Sequence, residues 1–201
     1  MPKQLLFLGG LLLLISIILL KIPAFKASDL GAVQWMFAHR SHSLNTIAIG
    51  LSIIGGMPFV LFMTTLWCLT LAWYKKYINI VFISIGIIGS IVLTWALKYF
   101  ISRPRPPEMY FLVQTYGDSF PSGHSLYAAT LGCLAMYVYL QHTHHKLICL
   151  AMSLWMIVMG ISRVYAGAHY PSDVLSGWSI SFIWITLLYL AISKYQSANK
   201  K

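Results

Sequence analysis

Between Lys98 and Asp173 the sequence gathers charged and imidazole side chains into three short clusters: "KYFISRPRP" (98–106), "PSGH" (121–124) and "SRVYAGAHYPSD" (162–173). Lys98, Arg105 and Arg163 offer three positive heads. Arginine presents a planar fork that matches phosphate oxygens, and lysine a compact charge. Pro121 suits the first position of a helix, where Ser122 and Gly123 would turn free backbone N–H groups toward an anion. Gly123 has no side chain to keep a ligand from the backbone. Asp173 follows His169 by four residues, and a carboxylate on one imidazole nitrogen frees the other to attack. His124 comes from a separate cluster. One histidine as nucleophile and a second as general acid is a workable pair for cleaving a phosphate ester, with the cations taking up charge on the oxygens.

These residues need elements that bring them together, and the composition says what those are. Of the 201 residues 59% are hydrophobic and 9% charged, where a soluble domain carries about 25% charged; the mean hydropathy is +0.75. The chain reads as one integral membrane domain over residues 1–201, all-α, with six transmembrane helices in one bundle. Apolar runs place the spans at about 5–20, 46–74, 78–100, 121–140, 147–165 and 171–192. The first is short for a bilayer, about 24 Å at 1.5 Å per residue. It lacks a small-x-small cleavage site, so it reads as an uncleaved span. "GGMP" at 55–58 marks a kink in the second, or a span boundary. By alternation, the end of span three, the start of four, the end of five and the start of six share one membrane face, so all three clusters converge there.

An even number of spans puts both termini on one side. The fourteen Lys and Arg residues then divide equally, with all four acids on the cluster side. If Lys98, Arg105 and Arg163 serve chemistry, the remaining bias puts the termini in the cytoplasm and the clusters outside the membrane. The net charge of +10 is spread between apolar runs, which suits anionic lipid and excludes a nucleic-acid face. Cys68, Cys133 and Cys149 sit inside apolar runs, without disulfide or zinc spacing.

In order and without departure, the three clusters fit K-x-x-x-x-x-x-R-P, P-S-G-H and S-R-x-x-x-x-x-H-x-x-x-D. Together they resemble the signature of the type 2 phosphatidic acid phosphatase family of membrane lipid phosphatases. The resemblance covers the second half of the chain. It implies that Lys98, Arg105 and Arg163 hold the substrate phosphate with Ser122 and Gly123. It implies that His169 attacks phosphorus to form a phosphohistidine, that Asp173 orients it, and that His124 protonates the leaving oxygen. It implies no metal and no cofactor. The expected substrate is a lipid phosphate or diphosphate in a bacterial cytoplasmic membrane, its tail arriving sideways between helices. Undecaprenyl diphosphate stands first, with phosphatidylglycerophosphate, phosphatidic acid and lipid A 1-phosphate as alternatives. A lipid-phosphate binding or transport protein without turnover, and a haem protein with paired histidines, are the readings from other classes.

The remaining polar residues have plainer readings. Arg103 reads as a solvated loop charge and Ser162 as support for its neighbour. The "HTHH" tract at 142–145 reads as a solvated turn on the far side. His39, Arg40 and His42 lie on the cluster face without a site role, and Trp73, Tyr74 and Tyr165 read as an interfacial aromatic belt.

Overall fold

The computed structural model describes residues 1–198 and is helical throughout: α1 (Pro2–Lys21), α2 (Pro23–Ala38), α3 (His42–Ile54), α4 (Met57–Trp73), α5 (Tyr77–Ile101), α6 (Gly123–Val138), α7 (His145–Tyr165) and α8 (Pro171–Ala198), with one 3-10 turn at Glu108–Tyr110. Lys200 and Lys201, expected on the side of the termini, lie outside the described residues.

Helices α1, α5, α7 and α8 are each long and apolar enough to cross a membrane, and α3 with α4 makes a fifth crossing if counted as one span bent by 57°. The break expected at 55–58 is therefore present. Six spans were expected; the missing one is α6, which has only 16 residues. Its apolar run was read as starting at Pro121, but the helix begins two residues later. Pro121 precedes the N-cap, Ser122, instead of occupying the first helical position.

The helix too short to count as a span is also the most enclosed. α6 packs against α4, α5, α7 and α8, and Leu126, Leu134 and Thr130 on it are fully buried. Small hydroxyls join it to its neighbours. Thr130 Oγ1 lies 2.8 Å from Ser90 Oγ of α5 and 2.7 Å from Ser181 Oγ of α8, and Ser181 Oγ donates to the Leu126 carbonyl at 2.7 Å. With lipid as apolar as leucine, such bonds and close packing replace the hydrophobic effect in holding helices together. Around this centre, large apolar side chains such as Phe7, Phe62, Trp73 and Val92 stay exposed, as a lipid-facing surface requires.

α1 runs antiparallel along α8. Ser179 Oγ donates to the Gly9 carbonyl at 2.7 Å, and Ser16 Oγ to the Ser172 carbonyl at 2.9 Å. α2 was not expected as a helix. It starts at Pro23, directly after α1, and lies across the ends of α7 and α8, with Val33 packed on Val164 and Val174. Arg40 then closes this face: its Nη2 donates to the carbonyls of Tyr165, the last residue of α7, and of Tyr110. A cation bonded to the final carbonyls of a helix satisfies groups that have no partner within it. Tyr165, expected in an interfacial belt, is instead buried, and its hydroxyl donates to Asn45 Oδ1.

The chain segment from Ser102 to Ser122 and the short loop 166–170 meet at the same end. Leu112 N–H donates to the Ala166 carbonyl at 2.9 Å. Gly167, at φ +70°, approaches so closely that a Cβ would sit 2.0 Å from the Tyr110 carbonyl oxygen. At α6 and α8 the backbones also touch: a Cβ on Gly177 would lie 2.8 Å from the Ser122 carbonyl oxygen and 3.0 Å from Leu126 N. Neither is a flexible neighbour. Gly177→Ala is therefore expected to destabilise the protein by roughly 1–3 kcal/mol, read as a lowered Tm in detergent. Gly10→Ala, where a Cβ meets nothing within 4 Å, is expected to leave Tm unchanged or raise it.

Candidate active site

A cavity of about 900 Å³ opens where the three motif segments meet. Lys98 from the last turn of α5, Arg105 from the segment after it, Gly123 and His124 from the first turn of α6, Arg163 from the last turn of α7 and His169 from the α7–α8 loop all line it. Three cations and two imidazoles thus face one space, and among the described residues no acid shares its wall. The opposite wall is apolar, built by Ile53, Met57, Pro58, Phe59 and Phe62 of the α3–α4 elbow with Trp95 of α5.

Each cation is held in place by neutral oxygen. Lys98 Nζ donates to the Asp118 carbonyl. Arg105 donates to three carbonyls: Nε to Gly117 at 2.8 Å, Nη1 to Ala168 at 2.6 Å and Nη2 to Tyr116 at 2.8 Å. Arg163, 1% exposed, donates from Nη1 to Ser52 Oγ at 2.9 Å, from Nη2 to the Ala48 carbonyl at 3.3 Å and from Nε to Ser162 Oγ at 3.2 Å. Burial without a carboxylate partner holds the Arg105 pKa below its usual value, since desolvation outweighs the pull of Asp173 and Asp118. An entering anion would supply the charge these groups lack.

The tautomers of both histidines follow from their partners. A guanidinium can only donate, so the 3.3 Å contact between Arg105 Nη1 and His169 Nε2 makes Nε2 the acceptor, with the ring hydrogen on Nδ1. That Nδ1 is buried, has no hydrogen-bond partner, and stands 3.6 Å from Asp173 Oδ2, beyond hydrogen-bonding distance but facing the acid. Burial lowers the His169 pKa to about 3, against the raising effect of Asp173, so the ring is neutral near pH 7 and Nε2 is unprotonated, its lone pair facing Arg105. His124 Nε2 lies 2.9 Å from the Ser52 carbonyl, which can only accept, so Nε2 carries its hydrogen. Ser52 thereby holds Arg163 through its hydroxyl and His124 through its carbonyl. Nothing in its sequence context marked it.

Two of the expected site residues lie behind the wall. Ser122 is fully buried; its N–H donates to the Asp173 carbonyl at 3.0 Å, and its Oγ pairs with Ser125 Oγ at 2.9 Å. The amide expected to be free at this helix start is thus already occupied, while Gly123 does reach the cavity. Asp173 is also fully buried. Its Oδ2 accepts from Ser119 Oγ at 2.6 Å and from Tyr170 N–H at 3.0 Å, and its Oδ1 accepts from Arg103 Nη1 at 2.6 Å.

Arg103 departs most from expectation. It is no solvated loop charge. Its Nη2 bonds Asp29 Oδ2 of α2 at 2.7 Å, and its guanidinium lies 4.0 Å from the centre of the Tyr170 ring. Burial opposes its charge, but Asp173 and Asp29 together outweigh that and hold its pKa above the usual value. The plain readings of the histidine tract and of His39, Arg40 and His42 agree with the structure. His142 and His144 are exposed in the turn before α7, and His39, Arg40 and His42 stay out of the cavity wall. Cys68, Cys133 and Cys149 are all free.

Residues 73–197 match the PAP2 superfamily. Phosphatidylglycerophosphatase B of Bacillus subtilis (strain 168) is 28% identical over 170 residues, covering 82% of this chain and 83% of that one. The undecaprenyl-diphosphatase of Sulfolobus acidocaldarius is 32% identical over 113 residues, covering 54% and 52%. The crystal structure of a transmembrane PAP2-type phosphatidylglycerolphosphate phosphatase from Bacillus subtilis superposes with a TM-score of 0.80 at 25% identity, covering 98% of this chain and 96% of that one. The three motif segments, the cavity they build and the family match over most of the chain agree: this protein belongs to the PAP2 superfamily.

Proposed function

We propose that this chain is a membrane lipid phosphatase that removes the terminal phosphate of a lipid phosphate or diphosphate by way of a phosphohistidine. The observation that carries the reading is the two-sided cavity: three cations and two imidazoles on one wall, and an apolar wall across from them. The first suits a tetrahedral anion and the second a hydrocarbon tail. A tail would reach the site sideways, between the α3–α4 elbow and α5.

In this reading Lys98, Arg105 and Arg163 grip the phosphate oxygens with the help of the Gly123 backbone. His169 Nε2 attacks phosphorus as the bond to the leaving oxygen breaks, and a protonated His124 supplies the proton that oxygen needs. Water then attacks the phosphohistidine, passes its proton to His124, and inorganic phosphate leaves with His169 restored. Asp173 holds the orientation of His169 from behind. Ser122 would act through its bond to Asp173, or touch phosphate only after its present bonds rearrange. Cations rather than carboxylates face the phosphate, which favours turnover without a metal ion or any other cofactor.

Undecaprenyl diphosphate is the first substrate proposed, supported by the likeness to an undecaprenyl-diphosphatase over about half of each chain. Phosphatidylglycerophosphate is the leading alternative, supported by the likeness to phosphatidylglycerophosphatase B, which spans more of both chains. Phosphatidic acid and lipid A 1-phosphate complete the set. For the membrane arrangement we propose six crossings in a bacterial cytoplasmic membrane, with α6 as the sixth. A helix enclosed by four others need not match the bilayer thickness, because it meets protein instead of lipid. The termini then face the cytoplasm and the cavity faces outward.

Phosphate release from the four lipids in detergent, with chelator present, is expected for the wild type, with one diphosphate or monophosphate lipid preferred. His169→Ala is expected to cost roughly 10³-fold or more and His124→Ala roughly 10²- to 10⁴-fold. Lipid binding without phosphate release by the wild type would favour a carrier instead. For orientation, a cysteine introduced at the exposed Gln114 beside the cavity mouth, in a background lacking the native cysteines, is expected to react with a membrane-impermeant maleimide in intact cells.

A further inference from the structure

Behind the cavity lies a buried ionic chain that the proposed chemistry does not itself require. Asp29, on α2, is 3% exposed and accepts from the Ser172 backbone N–H at 3.0 Å and from Ser172 Oγ. Arg103 spans from it to Asp173, at 2.7 and 2.6 Å. Arg103 Nη1 also donates to Ser172 Oγ at 2.7 Å. Two carboxylates and one guanidinium thus knit α2, the segment after α5 and the first turn of α8. None of the three lines the cavity. Buried charges are costly to assemble and are often no more stabilising than apolar residues of the same size, so their presence calls for a reason besides stability.

We propose that Asp29 and Arg103 are positioning residues for phosphate transfer: Asp29 anchors Arg103, Arg103 fixes the carboxylate of Asp173, and Asp173 in turn holds His169 with Nε2 toward the phosphate. The inference rests on the lipid phosphatase reading above. Geometry supports each link. The Asp173 carboxylate is bonded on both oxygens, by Arg103 on one and by Ser119 and Tyr170 on the other, so it cannot rotate. Its Oδ2 is the oxygen that faces the unpartnered Nδ1 of His169. Asp29 offsets part of the positive charge on Arg103, so Asp173 keeps enough negative charge to act on the imidazole. Without Asp29, Arg103 would neutralise Asp173 more fully. Without Arg103, both acids would be left buried without their cation.

The remaining charges around His169 act from fixed places. Lys98 of α5 and Arg105 oppose its protonation directly, and Asp118 offsets both. Arg163 of α7 and His124 of α6 stand further round the same cavity. Against that constant background, altering the ionic chain has a definite sign. Removing the positive charge of Arg103 favours the imidazolium form of His169, so the acidic limb of kcat/KM moves to higher pH. Removing the negative charge of Asp29 cannot move it that way.

The test is a pH–rate profile of phosphate release for the wild type, Arg103→Gln, Asp29→Asn and the double variant, each checked by Tm. Both single variants are expected to lose roughly 10- to 100-fold in kcat with KM within about threefold, since neither side chain touches phosphate. Arg103→Gln is expected to shift the acidic limb about one pH unit upward. The double variant replaces the charged pair with a neutral one of similar shape. It is expected to fold even if Arg103→Gln alone does not, and to bring the limb back toward the wild-type position. Equal losses in all three variants with an unmoved limb would reduce the chain to scaffolding and overturn the proposal, as would unchanged kcat throughout. A wild type silent on every lipid would overturn the phosphatase reading as well; an active wild type with indifferent variants would overturn this inference alone.

Discussion

Mutual repulsion among three like charges is the constraint around which the molecule is organised. Lys98, Arg105 and Arg163 converge on one cavity, Lys98 and Arg163 from buried positions, and among the described residues its wall holds no acid. In such surroundings the Coulomb energy of close like charges is several-fold larger than in water. A carboxylate in the wall would relieve it but would also repel phosphate. The protein uses dipoles instead. Carbonyls of Ala48, Tyr116, Gly117, Asp118 and Ala168 and the hydroxyls of Ser52 and Ser162 point at the cationic heads. They fix the cations in place without cancelling their charge. The carboxylates that balance the region, Asp29 and Asp173, stand one layer back, screened from the cavity by Arg103 and His169.

That arrangement explains the connections of the fold. The stabilising carbonyls come from α3, from the irregular segment between α5 and α6, and from the α7–α8 loop. Each must therefore be pinned against the helix ends that bear the cations. α2 and Arg40 do this from outside, bonding Tyr110 and the end of α7. α6 does it from within. Being short, small-surfaced and stitched to α5 and α8 by hydroxyls, it lets the surrounding helices come close enough for their ends to meet at one cavity.

The residues that line the cavity were far more legible in the sequence than those that support them. Lys98, Arg105, His124, Arg163 and His169 announced themselves because charged groups at the ends of apolar runs are costly, and helix alternation alone puts those ends on one face. The helical class and the break at 55–58 followed from apolar length and from glycine beside proline. Arg103 was misread because a charge among prolines resembles a solvated loop residue until its partner is known. That partner, Asp29, lies 74 positions away in a stretch too polar to be a span, on a helix that only tertiary contact with α7 and α8 makes useful. Ser52 was equally silent, as one hydroxyl among many in an apolar run. The start of α6 moved from Pro121 to Gly123 because Ser122 N–H turns to the Asp173 carbonyl, a bond between segments fifty residues apart that no local pattern encodes.

The close contact at Gly167 has a consequence for anyone wishing to alter headgroup preference. Its missing side chain lets the histidine-bearing loop lie directly on the backbone at Tyr110, where Leu112 N–H also meets Ala166. The stretch that frames the cavity mouth and the stretch that carries His169 are therefore one mechanical piece built from two distant parts of the gene product. Grafting residues 108–116 from a relative without also grafting 166–170 would put two mismatched surfaces in contact at a spot with no room for even a methyl group.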